Sequence, residues 1–359
     1  MASMNPELEA TGEDSKAREP KPEFESSNTF TKCGLEKKCA APETKVPGKC
    51  RKILVWIREK LFLIKKVVED KWVQLQHSCG PDSERTKIYQ IWPGKNVFFF
   101  GGRLICGPDP RGLLLTTSSI ILSSWIFAVY IGDDLPNHST LIITFSLILT
   151  LVVLGNMILV STMDPGIIPR NEQACVEEVD TTKKCVKVNG VELKLKYCRI
   201  CKIFRPPRSC HCAVCDNCVE KFDHHCPWIG QCVGLRNYRF YLMFMASALC
   251  FCIYLFAFSC RRMHQKLQDS GIGLLGVLRN CPETLALASF LFASIGFLGG
   301  LLSFHVYLIA INQTAYENFR QRYSGTRINP FDKGLLGNIK EVLFPPFQSS
   351  RVDFRAEVV

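Results

Sequence analysis

The sequence predicts an all-α integral membrane protein: four transmembrane helices with a cytosolic, zinc-binding cysteine-rich domain between spans 2 and 3. Three observations predict it. Apolar residues make up 47% of the 359-residue chain and gather in four long runs. Lys and Arg are unevenly shared among the segments between those runs. Eight of the 19 cysteines fall between Cys198 and Cys232.

A bilayer crossing needs about 20 mostly apolar residues. Leu113–Ile131, Leu141–Thr162, Phe240–Cys260 and Leu285–Ile311 each supply such a run, the last with length to tilt or to continue past the membrane. No apolar run begins near Met1, so a cleaved secretory signal is not expected. Four spans put both termini on one side, and basic residues choose it. The first inter-span loop, GDDLPNHS, carries no Lys or Arg, whereas the middle loop holds Arg170, Lys183, Lys184, Lys194, Lys196, Arg205 and Arg208. Both ends and the middle loop are therefore expected in the cytosol. Arg261, Arg262, Lys266 and Arg279 in the third loop count the other way and are outnumbered.

Residues 1–50 are rich in Glu, Lys, Pro and Ser and read as a disordered cytosolic N-terminus. Over 51–76, Leu54, Ile57, Leu61, Ile64 and Val68 recur at helical spacing between Lys and Arg. Such a basic amphipathic helix lies on an anionic membrane face or packs on the protein's own cytosolic domain. The juxtamembrane segment 77–112 has Gly and Pro breakers around short aromatic runs, which predict turns and strands at the membrane surface. The cysteine-rich domain is expected over 163–239 and a cytosolic tail over 312–359. No internal repeat is present.

Thiols in a reducing compartment serve as metal ligands or nucleophiles more often than as disulfides. From Cys198 the pattern runs C-x2-C-x9-H-C-x2-C-x2-C-x4-D-H-H-C-x5-C. Cys198–Cys201 and Cys212–Cys215 have the two-residue gap that lets both sulfurs meet one tetrahedral zinc. Eight cysteines with His211, His224 and His225 make eleven candidate ligands, and two closed zinc sites use eight. The surplus directs attention to Asp223, His224 and Cys226, which supply a carboxylate, an imidazole and a thiol within four residues. That set makes a nucleophile with its base and the base's orienting group. Side chains alternate along an extended strand. His224 and Cys226 then share one face while His225 turns to metal, and a local bend must bring Asp223 to His224. A nucleophilic cysteine beside the bilayer, flanked by Leu141–Thr162 and Phe240–Cys260, suits acyl transfer, with the fatty chain in hydrocarbon and its thioester at Cys226. Cys33, Cys39, Cys50, Cys175 and Cys185 have no readable spacing and are expected to be surface thiols, some open to lipidation.

These residues resemble the DHHC-type protein S-acyltransferases (palmitoyltransferases), in particular the plant members, over roughly Ile88–Phe344. Asp164-Pro165-Gly166 stands directly after the second span, and RPPRSCHCAVCDNCVEKFDHHCPWIGQCVGLRNYRF matches the family's cysteine-rich domain almost throughout. The resemblance implies one zinc on Cys198, Cys201, His211 and Cys218, and a second on Cys212, Cys215, His225 and Cys232. It implies that the acyl group rides on Cys226, with His224 as base and Asp223 orienting it, and it leaves Cys210 as a structural thiol. It further implies palmitoyl-CoA or another long-chain acyl-CoA as donor, membrane-associated proteins with cytosol-facing cysteines as acceptors, contact with membrane lipid, and an endomembrane or plasma-membrane location.

The family's TTxE motif reads Thr314-Ala315-Tyr316-Glu317 here, without its second threonine. Loss of one buried hydroxyl contact costs about 0.5–1.5 kcal/mol, which predicts slower turnover. It also motivates a rival reading, a catalytically silent membrane adaptor. The family's Asn-x3-Phe becomes Asn237 with Tyr241, and Asn329–Gly334 looks like its C-terminal packing motif.

Other residues carry expectations of their own. His305, inside the last span, is read as a neutral ring hydrogen-bonded to a neighbouring helix. Ser289, Ser294, Gly296, Gly299, Gly300 and Ser303 provide close helix packing or room for an acyl chain. Phe251 and Tyr254 are candidates to cap that space, and Arg103, Arg205, Arg208 and Arg236 to grip CoA phosphates. A nucleic-acid binder is disfavoured: acids interleave with the basic residues, and the module is tethered between two spans.

Overall fold

The structure, a computed structural model, describes residues 86–358 apart from 133–138, 172–183, 271–275, 277–278, 326, 345 and 347. The N-terminal segment 1–50 and the amphipathic helix expected over 51–76 lie outside the described residues.

Four helices have the length and apolar composition to cross a membrane: Arg111–Ile131, Thr140–Thr162, Tyr238–Gln268 and Pro282–Ala310. The first is α1 (Arg111–Ile126), whose last turn widens into a π-helical stretch, Phe127–Gly132. The others are α2 (Ser139–Thr162), α3 (Tyr238–Ser270) and α4 (Pro282–Ala310). At a rise of about 1.5 Å per residue, α3 is close to 50 Å long, well beyond a hydrocarbon core of about 30 Å. Leu115, Leu122, Leu151, Ile158, Phe292 and Val306 point outward, which only a lipid surround makes inexpensive. Inside, phenylalanine and aliphatic side chains of all four helices form one core, including Phe127, Val153, Met245, Leu255 and Leu291. Some hydroxyls and amides within the bundle are paired between helices, as apolar surroundings favour. Thr150 donates to Ser124 at 2.9 Å, Asn156 to Ser247 at 3.1 Å, and Tyr254 to the Ile142 carbonyl at 3.1 Å. At the end of the bundle away from the cysteine-rich domain, Arg262 ties α3 to Glu283 of α4 at 2.9 Å.

The cysteine-rich domain is built from short antiparallel pairs. They are β3 (Ile167–Ile168), β4 (Cys185–Val188) with β5 (Val191–Lys194), β6 (Tyr197–Cys198) with β7 (Ile203–Phe204), β8 (Cys210–Cys212) with β9 (Asn217–Val219), and β10 (His224–Cys226) with β11 (Gln231–Val233). The predicted surface segment contains its own hairpin, β1 (Val97–Phe99) with β2 (Leu104–Cys106). Strands of two to four residues cannot hold an apolar core of their own, and the buried residues around them are largely cysteine.

The junction between spans and domain is set by Asp164-Pro165-Gly166. Asp164 Oδ1 accepts the Gly166 and Ile167 N–H groups at 2.9 and 2.8 Å, and Gly166 takes φ +107°, which an L side chain rarely tolerates. That turn stops α2 and delivers β3 onto β9. Asp164 Oδ2 then accepts from Arg236 at 2.7 Å and from Ser350 at 2.6 Å, so the second span, the start of the third and the tail meet at one carboxylate.

After α4 the chain forms α5 (Ala315–Phe319) and α6 (Leu335–Leu343) and then returns across the domain. Phe354 packs on Trp92 and Phe98, while Ile88 and Tyr89 N–H groups donate to Ala356 and Phe354 carbonyls at 3.0 and 2.9 Å.

Candidate active site

Two groups of ligands form in the domain, each of three buried cysteines and one half-buried histidine. Cys198, Cys201, His211 and Cys218 make one, and Cys212, Cys215, His225 and Cys232 the other, with the ligand atoms of each within 4.8 Å of one another. The contacts have the dimensions of metal sites. His211 Nδ1 is 3.4 Å from Cys201 Sγ and 3.8 Å from that of Cys218. His225 Nδ1 is 3.4 Å from Cys215 Sγ and 3.6 Å from that of Cys232, whose sulfurs are 3.5 Å apart. Tetrahedral zinc with Zn–S near ~2.3 Å and Zn–N near ~2.05 Å would separate its ligand atoms by about 3.5–3.8 Å, far more than the ~2.05 Å of a disulfide. Without a cation the thiols compete for protons. A hydrogen bond from Cys218 lowers Cys201 to about 5, and the reciprocal bond raises Cys218; Cys215 is pushed up to about 12 by its neighbour Cys212. A dication relieves that competition by taking thiolates only, so the donor set fits zinc.

β8 and β10 place one histidine in each group. In β10 the strand alternation separates the paired imidazoles: His225 joins the second cluster and His224 lies on the face of Cys226. His224 Nδ1 is 2.7 Å from Asp223 Oδ2, so the carboxylate reaches the adjacent ring. Asp223 is 2% exposed. Its other oxygen accepts the Ala315 N–H at 2.8 Å. Burial pulls the His224 imidazole down, yet its hydrogen bonds to Asp223 and Cys226 outweigh that and hold it at about 9. This ring takes up a proton readily.

The altered TTxE segment holds the site through its backbone and ends. Thr314 caps α5, accepting the Glu317 N–H at 3.2 Å, while Glu317 accepts the Thr314 N–H at 3.0 Å. Glu317 also accepts from Arg208 Nε and Nη2, the shortest contact being 2.9 Å, and Arg208 Nη1 donates to Asn312 at 2.9 Å. Arg208 Cζ lies over the ring of Phe331, in the Asn329–Gly334 segment, 4.6 Å from its centroid. The contact made at position 315 is a main-chain N–H, which alanine supplies as well as threonine.

Cys226 and Trp228 stand at the head of an apolar cavity of about 530 Å³. Its walls come from α1 (Thr116, Ile120, Ser123), α3 (Tyr241, Met245, Phe251, Cys252) and α4 (Leu291, Ser294, Leu298). By helix rise it runs about 16 Å along α3 from Tyr241 to Cys252. The spans flanking the loop in sequence do not both contribute: α2 lines none of it, and α1 replaces it. α1 reaches the site because Gly112 has no side chain, where a methyl would overlap the Pro227 carbonyl oxygen. Thr116 then donates to the Trp228 carbonyl at 2.9 Å.

Several expectations need correction. Arg208 and Arg236 are held by Glu317 and Asp164 inside the fold and are not free to grip a phosphate. Tyr254 does not reach the cavity; its hydroxyl is committed to Ile142, and Phe251 alone of that pair lines the wall. A methyl at Gly296, Gly299 or Gly300 would meet nothing within 4 Å, so these glycines do not serve close packing, and among the small residues of α4 named above only Ser294 lines the cavity. His305 is hydrogen-bonded to a neighbouring helix as expected, its Nδ1 2.9 Å from the Tyr238 hydroxyl. Cys210 lies outside both clusters, 3.6 Å from Arg205 Nη1.

A thiol beside an imidazole–carboxylate pair, at the head of an apolar cavity walled by three of the four spans, is the arrangement of a membrane-embedded acyltransferase. The family model described as DHHC palmitoyltransferase matches residues 191–322. "Probable protein S-acyltransferase 6" of Arabidopsis thaliana is 42% identical over 291 residues, 76% of this chain and 71% of the relative. "Probable protein S-acyltransferase 7" of the same plant is 41% identical over 79% of this chain and 68% of its own length. For "Protein S-acyltransferase 8" the figures are 39%, 75% and 72%. The chain belongs to the DHHC palmitoyltransferase family.

Proposed function

We propose that the protein transfers a long fatty acyl group, palmitoyl or one of similar length, from acyl-CoA to cysteine thiols of membrane-associated proteins, through an acyl-enzyme at Cys226. The observation that carries this reading is the line Asp223–His224–Cys226 ending at the apolar cavity. His224 takes the Cys226 proton; the thiolate attacks the thioester carbonyl, the new S–C bond forms, and CoA leaves as a thiolate that takes the proton back from the imidazolium. In the second half His224 deprotonates the client thiol, which attacks the acyl group, and Cys226 leaves with the returned proton. Asp223 holds the ring's Nδ1 and favours its charged form. Each step exchanges one thioester for another, so the cycle needs positioning and proton transfer rather than a large driving force.

Cys198, Cys201, His211 and Cys218 would hold one zinc, and Cys212, Cys215, His225 and Cys232 the other. When bound, the ions supply structural cross-links to strands too short to be stable alone. For the donor's phosphates the favoured residues are Arg205, Lys194, Lys196, Arg322 and Arg327, which line a cavity of about 440 Å³ with one carboxylate in its wall, Glu192. The bias of Lys and Arg toward the middle loop and the ends supports a cytosolic site with both termini on that side, in an endomembrane or plasma membrane.

Cys226→Ser tests the reading: hydroxylamine-sensitive incorporation of labelled palmitate into the protein itself is expected to vanish. Undiminished labelling would remove Cys226 as the nucleophile.

A further inference from the structure

We infer that His305, anchored by Tyr238, is a positioning residue that fixes the His224 ring from within the membrane-spanning bundle. The inference rests on the reading of His224 as the base. Asp223 restrains that ring at Nδ1 alone. The second torsion of a histidine is broad, so the Asp223 bond alone would leave the ring free to pivot about the Nδ1–Oδ2 line and loosen its other contact, to the Cys226 sulfur. What stops the pivot is a corner of rings contributed by α3 and α4. Tyr241 stands edge-on to His224, centroids 5.2 Å apart at 69°. His305 lies 6.2 Å from His224 and 5.3 Å from Tyr241, the latter again edge-on at 74°.

His305 is 1% exposed and sits on α4 about a turn and a half before the helix ends. An imidazole at that depth is costly without a partner. Its partner is the Tyr238 hydroxyl, 2.9 Å away on the first residue of α3. That bond restrains the His305 ring, which is buried and tilted at 41° to His224. Helix packing alone would be served by leucine. The imidazole and its tyrosine couple the orientation of the base to the register of α3 against α4.

The test uses full-length, zinc-loaded protein in nanodiscs and reads three quantities: the single-turnover rate of Cys226 acylation by palmitoyl-CoA, the KM for palmitoyl-CoA, and zinc per chain. Tyr238→Phe and His305→Ala are each expected to slow acylation about tenfold, because a small misplacement of a catalytic group costs up to ~10²-fold. KM should stay within about twofold, since ground-state binding is untouched. The double variant should be no slower than His305→Ala, as Tyr238 acts through His305, and His305→Phe, which keeps a ring, should recover part of the rate. Unchanged single-variant rates, losses that multiply in the double variant, or a slowing that appears only with zinc loss or a raised KM would each overturn the inference. Tyr238→Phe removes one oxygen and decides the matter if His305→Ala does not fold. His224→Ala separates the two readings: wild-type acylation by that variant sinks the base assignment itself, whereas a dead His224→Ala beside unaffected Tyr238→Phe and His305→Ala sinks only the positioning role.

Discussion

Glu317→Gln should do more damage than its one-atom change suggests. The Glu317 carboxylate is 1% exposed and faces Arg208, itself only 6% exposed, with Nε at 3.1 and 3.3 Å and Nη2 at 2.9 Å. It also caps the Thr314 N–H at 3.0 Å. A carboxamide keeps the shape but presents one accepting oxygen and an NH₂ that opposes the guanidinium. Removing one member of a buried ion pair costs about 3–5 kcal/mol because the other charge stays buried and unpaired. That is a large part of the roughly 5–15 kcal/mol that holds an ordinary domain. The loss propagates to the chemistry: α5 is pinned by Arg208, and α5 carries the Ala315 N–H that satisfies Asp223. Denaturant unfolding of zinc-loaded protein, followed beside acylation rate, should show both stability and rate falling. Replacing Arg208 and Glu317 together by methionine should cost less than either single change, since no charge is then stranded. A loss below about 1 kcal/mol, the size of one ordinary hydrogen bond, with normal acylation would refute the idea that this pair pins the site.

Three further outcomes follow from the same geometry. Phe251→Ala lengthens the cavity, so the preferred acyl-CoA should shift to longer chains, each added methylene gaining up to about 0.8 kcal/mol of burial; an unchanged chain-length profile would place the end of the chain elsewhere. Gly112→Ala drives a methyl into the Pro227 carbonyl oxygen and should lower acylation sharply while the two zincs remain, which metal analysis beside a labelling assay would reveal; normal labelling would mean that α1 does not brace the catalytic turn. Ala315→Thr should raise the acylation rate by no more than about tenfold, from the 0.5–1.5 kcal/mol of one hydroxyl contact, and a much larger gain would favour the silent-adaptor reading.

What was legible in the sequence was local. Four apolar runs, the knuckle spacing of Cys198–Cys201 and Cys212–Cys215, and the alternation along His224–Cys226 each act over a few residues, and length or period encodes them directly. What stayed hidden depends on pairs far apart in the chain. Arg208 meets Glu317 across 109 residues, and α1 meets Trp228 across 112 through Thr116. A basic residue near a membrane reads as a phosphate ligand until its carboxylate is seen. The glycines of α4 read as packing sites or as room for an acyl chain because they are small, but size does not say whether a helix face meets another helix, a cavity or lipid. In the tail Val352, Phe354, Ala356 and Val358 alternate, but that period does not name the surface covered, which for Val352 and Phe354 is the β1–β2 region.

The placement of the nucleophile follows from economy in one three-residue strand. β10 gives His225 to a metal cluster and, on its other face, presents His224 and Cys226 to the bundle; its partner β11 returns Cys232 to the same cluster. A metal held by that cluster would tie the hairpin and set the height of Cys226 above the cavity at once. Between β10 and β11 the turn Pro227–Ile229 is gripped by α1 at Gly112 and Thr116, so the sulfur is fixed on one side by the clusters and on the other by a span. A nucleophile on a free loop would lose orientation to backbone motion and would need the acyl chain to leave hydrocarbon to reach it. Held between clusters and helices, the thiol meets the thioester where the chain already lies.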